Sequence, residues 1–294
     1  MTIHQFLQSS PAGLVASTFV LGCLIGSFVN VVVHRLPIML RRDWKRQCDE
    51  LFADDSTSAP DEAQQAFNLV IPGSHCPRCK HKIRAIENIP ILSYLFLRGR
   101  CANCKQPIPR RYPLVEFFCG VLSAIVATQF EYGWPLLWAL LLTWSLLSLS
   151  LIDFDTQYLP DLITLPLLWS GLLLSLWSVY TTPENAIIGA AAGYLSLWLV
   201  FQLFKLLTGK EGMGYGDFKL FAALGAWLGW KFLPLIIVLS SFVGAVAGIL
   251  LILVKGRDKN IPIPFGPYLA AAGWIALLWG QDILDLYFRI YFTR

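Results

Sequence analysis

The sequence predicts an all-α polytopic membrane protein of about eight transmembrane helices, with one small polar insert between the first and the second. Three observations carry that prediction. Of 294 residues, 56% are hydrophobic and 14% charged, too little charge to keep a globular surface of this size in solution. The apolar residues fall in runs long enough to cross about 30 Å of hydrocarbon as helices of roughly 20 residues. The charged residues fall between those runs, and alternate connectors differ in charge. A helix satisfies every backbone group without water, whereas a β-barrel needs short alternating segments that this chain lacks.

The first run, about 14–33, carries Gly22, Gly26 and Ser27, small residues that let a second helix approach closely. It lacks a basic leader and an A-x-A site and runs straight into basic residues, so it reads as a retained helix and not a cleaved signal. It is expected to end at Asn30-Val31-Val32-Val33-His34-Arg35-Leu36-Pro37. Arg41, Arg42, Lys45 and Arg46 then place that end in the cytoplasm.

From 40 to 112 the composition is that of a soluble, cytoplasmic insert, with more than half of all Lys and Arg and five of the seven cysteines. Its early part, Asp49 to Gln65, is acidic and expected to be a loop or short helix without a core. Seven further apolar runs follow, at about 114–130, 134–152, 162–180, 185–207, 218–230, 232–254 and 265–281. The connectors 131–135 and 181–184 carry no Lys or Arg, whereas 205–219 and 255–259 do. Alternate loops therefore sort to opposite sides, with the termini outside. The run 218–230 is short for a span, and 283–292 reads as an interfacial tail. Trp134, Trp138, Trp177, Trp230 and Trp279 lie near run ends, as an interfacial belt requires. Three segments result: 1–39, a first transmembrane helix; 40–112, the insert; and 113–294, a transmembrane core. The pI near 8.7 does not indicate nucleic acid, because the basic residues sit where positive-inside topology puts them. The bilayer is the partner implied.

Within the insert, Cys76-Pro77-Arg78-Cys79 and Cys101-Ala102-Asn103-Cys104 form two CxxC pairs about twenty residues apart. That is the spacing of a four-thiolate zinc site. Cytoplasm disfavours structural disulfides; a redox dithiol pair is the alternative. Four protein ligands leave no open position for water, so zinc here is expected to be structural and to fold a segment with little core of its own. His75 and His81 flank the first knuckle, but four thiolates already fill a tetrahedron. Cys23, Cys48 and Cys119 read as packing or free residues.

Two acids stand at the ends of apolar runs. Asp153 closes one, and Asp217 ends the turn Gly212-Met213-Gly214-Tyr215-Gly216-Asp217. A carboxylate at a membrane helix end asks for a functional reason, and the loop alternation puts both on the cytoplasmic face, where they can meet. Two such acids share one proton, so one can take a proton from water while the other donates to a carbonyl. The glycines before Asp217 would allow backbone conformations closed to other residues, or close approach of a peptide. The helix dipole favours an ionised Asp217, leaving Asp153 as the proton carrier. Taken singly, each acid also reads as an interfacial helix cap, and Asp161 after Pro160 reads so most directly. Glu116, just inside the second helix, either snorkels to an Arg or faces a polar cavity.

These residues, with others in order, resemble the type IV prepilin leader peptidases. The resemblance runs through Gly26-Ser27-Phe28-Val29-Asn30 and His34-Arg35-Leu36-Pro37, the paired knuckles, Glu87-Asn88-Ile89-Pro90, and Arg111-Tyr112-Pro113-Leu114-Val115-Glu116. It continues through Leu151-Ile152-Asp153, Leu159-Pro160-Asp161, Gly214-Tyr215-Gly216-Asp217 and Pro264-Phe265-Gly266-Pro267. It implies a bifunctional, multi-pass enzyme of the bacterial inner membrane, with Asp153 and Asp217 as catalytic aspartates at the cytoplasmic face. It would cleave the leader of type IV prepilins and type II secretion pseudopilins after a glycine. S-adenosylmethionine would then N-methylate the new amino terminus. No Rossmann-type glycine pattern is present to hold that donor, and by resemblance Gly26, Asn30 and Glu116 are candidates. Two other readings stay open from the residues alone: a transporter whose acids bind a cation, and a membrane scaffold whose zinc module binds partners.

Overall fold

A computed structural model describes residues 3–52, 67–255 and 264–292. Among them the chain is helical, with no strand beyond two isolated bridges, His75 with Lys82 and Arg100 with Pro107. It divides into two compact units, Met1–Thr128 and Gln129–Arg294.

In the first unit, α1 (Ile3–Ser9) leads into α2 (Pro11–Phe52), and the short α3 (Leu92–Phe96) precedes α4 (Arg111–Gln129). The expected end of the first helix at Pro37 is not where it stops: α2 is 42 residues long and passes through that proline. Proline inside a helix forfeits one N–H bond and crowds the preceding turn, at a cost of about 3 kcal/mol. Tertiary contacts outweigh that signal here. Val33 and Leu36 are buried, and Arg35 donates to the Asn68 carbonyl at 3.0 Å. Residues 49–52 of the expected loop form the last turn of α2; the rest of it, to Gln65, lies outside the described residues.

The small residues of α2 do what their spacing predicts. A Cβ on Gly22 would come within 2.8 Å of the Cys119 carbonyl on α4, and one on Gly26 within 2.8 Å of the Glu116 Cα. The two backbones therefore touch along this seam, as small residues in membrane helices permit.

In the second unit, α5 (Trp134–Thr156), α6 (Asp161–Ser175), α7 (Pro183–Thr208), α9 (Leu233–Lys255) and α10 (Gly266–Phe292) surround α8 (Tyr215–Leu228). Eleven of the fourteen α8 residues are buried, and α6, α7 and α10 pack against it. Glycines set the closeness: Gly189 and Gly193 on α7 lie against the backbone of Gly225 and Phe221, and Gly171 on α6 makes room for the Trp227 ring. The indole N–H of Trp227 donates to the Leu167 carbonyl at 2.7 Å, and that of the half-buried Trp274 to Thr143 Oγ1 at 3.1 Å, so neither aromatic orphans its polar edge.

Among the described residues, six helices are long and apolar enough to cross a membrane: the apolar part of α2, then α4, α5, α7, Trp230–Leu250 and α10. The other two expected spans are shorter, α6 with 15 residues and α8 with 14. The supposed tail 283–292 continues α10 as helix to Phe292. The basic connector 255–259 lies, beyond Lys255, outside the described residues.

Candidate active site and metal centre

The two cysteine knuckles are one local structure made twice. In the first, the Cys76 amide donates to the His81 carbonyl at 2.9 Å and the Lys80 amide to the Cys76 carbonyl at 2.9 Å. In the second, Cys101 donates to Gln106 at 2.8 Å and Lys105 to Cys101 at 3.1 Å. Lys80 and Lys105, each just after the second cysteine, have φ of 59° and 56°, the left-handed turn that brings the chain back under its own thiols. The four Sγ atoms lie within 4.8 Å of one another, with Cys76–Cys104 at 3.8 Å and Cys79–Cys101 at 3.9 Å. A tetrahedron with metal–sulfur bonds of about 2.3 Å has edges of about 3.8 Å, so the donor set fits zinc. The backbone amides of Cys79 and then Arg78 lower the Cys76 thiol to about 6, which favours the thiolate a metal needs.

His81 is not among the clustered donors. Its Nε2 lies 3.2 Å from Glu87 Oε2, which also accepts the Arg84 amide at 3.1 Å. Glu87 is held below the usual carboxylate range, first by the Arg84 amide and then by His81.

The acids assemble where the C-terminal end of α5 meets the N-terminal ends of α6, α8 and α10. Asp153 and Asp217 are both buried, at 5% and 7% exposure, and the charge of Asp153 acts on Asp217. Asp153 Oδ2 accepts the Gly266 amide at 3.0 Å. Asp217 Oδ1 is buried with no hydrogen-bond partner among the described residues. Leu159 is wedged between the elements that carry the pair. A Cβ on Gly216 would stand 2.7 Å from the Leu159 Cβ, and one on Gly266 would stand 3.2 Å from both Leu159 methyls.

Two expectations need correction. None of Gly212, Gly214 and Gly216 has a positive φ, so this turn uses glycine for close approach and not for unusual backbone angles. Asp161 does not cap α6: the N-cap is Pro160, and both Asp161 carboxylate oxygens accept from Lys219 Nζ at 2.7 Å. That ion pair ties the first turn of α6 to the first turn of α8. The dipole argument does not separate the two acids either, because each lies against a helix N-terminus.

Three participants were missing from the sequence reading: the Gly266 amide, Leu159 as wedge, and Lys219 as the partner of Asp161. Only Gly266 left a signal, a Gly-Pro step at the start of an apolar run.

Gly26, Asn30 and Glu116 share the α2–α4 seam. Asn30 Nδ2 donates to the Tyr112 carbonyl at 3.2 Å. Glu116 is 9% exposed and accepts the Ile91 amide at 2.8 Å, with a further hydrogen bond from Ser27. It meets backbone, where a cavity or an arginine was expected, and Ile91 has the unusual φ of 61°. The carboxylate thus fixes the connector that follows the first knuckle.

Fold and site together define a class: a multi-pass helical membrane protein with a buried pair of aspartates and a four-cysteine module. Two family profiles match, that of the bacterial peptidase A24 N-terminal domain over residues 20–130 and that of the type IV leader peptidase family over residues 140–249. Curated relatives agree along the whole length. A protein of Stutzerimonas stutzeri is 54% identical over 98% of this chain and 99% of its own, and one of Pseudomonas aeruginosa is 53% identical over 98% of both. One of Dichelobacter nodosus is 46% identical, again over 98% of both. Each bears the name prepilin leader peptidase/N-methyltransferase. No solved structure matches. The chain belongs to the type IV leader peptidase family.

Proposed function

We propose that this chain is a bifunctional membrane enzyme, an aspartic endopeptidase that removes the leader of type IV prepilins and type II secretion pseudopilins after glycine, and an N-methyltransferase acting on the new amino terminus. The names of its full-length relatives support both activities. The observation that carries the peptidase reading is the buried Asp153–Asp217 pair, gathered where one helix ends and three begin.

In that reading the pair holds one proton. Water attacks the scissile carbonyl carbon and forms the new C–O bond. Its proton goes to the ionised acid, while the other acid's proton goes to the carbonyl oxygen. Collapse of the intermediate breaks the C–N bond, a proton goes to the leaving amine, and the pair again holds one. Asp153, which already accepts a backbone N–H, is the ionised member. The Asp217 carboxyl also has a backbone hydrogen bond, from Gly214, but its buried Oδ1 has no partner among the described residues and would be costly to charge; in this reading Asp217 brings the proton. This reverses the assignment that the α8 dipole alone would give.

The topology that fits has eight helices in the bilayer, with α6 and α8 shielded by their longer neighbours. The Cys-rich insert is cytoplasmic on charge grounds, in a bacterial inner membrane, and the three segments 1–39, 40–112 and 113–294 are its working parts. Zinc on Cys76, Cys79, Cys101 and Cys104 is structural and would hold the two knuckles together. S-adenosylmethionine is the methyl donor that the relatives' name implies. Gly26, Asn30 and Glu116, which share the α2–α4 seam, are its candidate site by the family resemblance; the packing at Gly26 and the bonds from Ile91 and Ser27 to Glu116 give these residues a part in shaping that seam as well.

Asp153→Ala and Asp217→Ala, assayed on a membrane-embedded prepilin, should each lower cleavage by at least about 100-fold, the smallest loss expected when an acid–base group is removed. A variant that still removes the leader at the wild-type rate would refute the pairing. Cleavage that depended on an added cation and survived both substitutions would favour the transporter reading.

A further inference from the structure

The start of α10 is built to leave one backbone donor over. Among the first residues of a helix, N–H groups lack intrahelical partners. Here Pro267 has none to offer, and the amides of Tyr268 and Leu269 both turn to the Phe265 carbonyl at 3.1 Å. The Gly266 amide remains, and it donates to Asp153 Oδ2 at 3.0 Å, across 113 residues of sequence and in a buried setting. A Cβ at this position would fall 2.7 Å from that same carboxylate oxygen, so a side chain here would have to displace the Asp153 carboxylate.

We propose that Gly266 is a positioning residue of the cleavage reaction. Its amide fixes the rotamer of Asp153 so that Oδ1 is turned toward the substrate side of the pair, and its missing side chain is what lets the carboxylate come so close. A backbone N–H at a helix N-terminus suits this role, because it stabilises a negative charge and cannot swing away as a side-chain donor can. Gly216 has the opposite geometry. Its Cβ would meet Leu159 and no carboxylate, so it serves packing beside Asp217 without touching the chemistry. The inference rests on the catalytic reading of Asp153.

The test uses full-length enzyme in detergent or bilayer and four variants: Gly266→Ala, Leu159→Ala, the double variant, and Asp153→Ala. Prepilin cleavage is followed for kcat and KM, and methylation of a leaderless pilin reports on the rest of the protein. Gly266→Ala should lower kcat by about 100-fold, the loss that a displacement of about 1 Å at a reacting group costs. KM and methylation should stay within about threefold, because the pilin helix and the methylation machinery are not what this amide holds. The double variant relieves the contact with Leu159 and leaves the one with Asp153, so it should remain as slow as Gly266→Ala alone.

Wild-type kcat in Gly266→Ala would overturn the proposal. So would restoration of cleavage in the double variant, which would make the defect one of packing against Leu159, and so would equal loss of cleavage and methylation. Unimpaired cleavage by Asp153→Ala is a separate outcome: it would remove the catalytic reading itself, and Gly266 would then have no reaction to serve.

Discussion

The cysteine module and the aspartate pair are built in opposite ways. Each knuckle is closed by backbone hydrogen bonds reaching at most nine residues along the chain, from Ser74 to Ile83 and from Gly99 to Ile108. The same turn appears twice, down to the left-handed lysine. At the aspartate site, the Gly266–Asp153 bond spans 113 residues and the Lys219–Asp161 pair spans 58. Local closure leaves its geometry in the spacing of residue types, so the module's ligands can be named from CxxC pairs alone. Convergence of helix ends leaves only isolated acids in the sequence, and their supporting groups emerge with the packing.

The comparison breaks most visibly if the module does not depend on its metal. Replacing Cys76 and Cys101 together by Ser takes one ligand from each knuckle. Structural zinc sites of this type bind with about 10–16 kcal/mol of apparent free energy, so metal analysis should fall from one zinc per chain to none and the insert should become protease-sensitive. A double variant that keeps its zinc would show that the four sulfurs are not the ligand set. Because binding releases protons from thiols, wild-type zinc should be released in acid and retained as pH rises.

A smaller effect sharpens the other side. The Lys219–Asp161 pair is partly solvated, at 29% and 46% side-chain exposure, so screening limits it to about 0.5–1 kcal/mol of coupling in a double-mutant cycle on unfolding. Lys219→Ala and Asp161→Ala should therefore be strongly non-additive in cleavage but cost little stability. Additive effects would show that the two residues do not tie α6 to α8.

The smallest effect is expected at Glu87. Its carboxyl lies below the usual range through the Arg84 amide and His81, so its contribution is present above the ordinary glutamate range and lost as pH falls through the depressed value. The stability difference between wild type and Glu87→Gln should accordingly be seen at neutral pH, shrink as pH falls below the ordinary glutamate range, and vanish only below the depressed value. A difference that persisted there would assign Glu87 a role unrelated to its charge.

Much of this was legible beforehand, for identifiable reasons. Apolar runs became helices because the hydrocarbon requires internal hydrogen bonding of every backbone group. The boundaries were weaker. Pro37 signals a helix end, yet α2 continues through it because Val33, Arg35 and Leu36 are held by tertiary contacts. The glycines around Asp217 suggested unusual backbone angles, whereas at Gly216 the reason is contact with Leu159, which no local pattern encodes. Glu116 was visible as an acid out of place, but its partner, the amide of Ile91, carries no signature in any sequence.

By itself, the sequence determined a helical membrane chain, four cysteines that gather into one cluster able to hold a metal, and which two acids need an explanation. Those depend on composition, on charge between runs and on residues a few positions apart. Only the tertiary structure decided that α8 is enclosed by its neighbours, that Asp153 rests on the first amide of α10, and that Leu159 keeps the two glycine approaches apart. These follow from how helices pack: the Gly266-Pro267 step marks where a helix starts, but a backbone N–H is the same in every residue but proline, so the letters do not say which carboxylate that amide will meet.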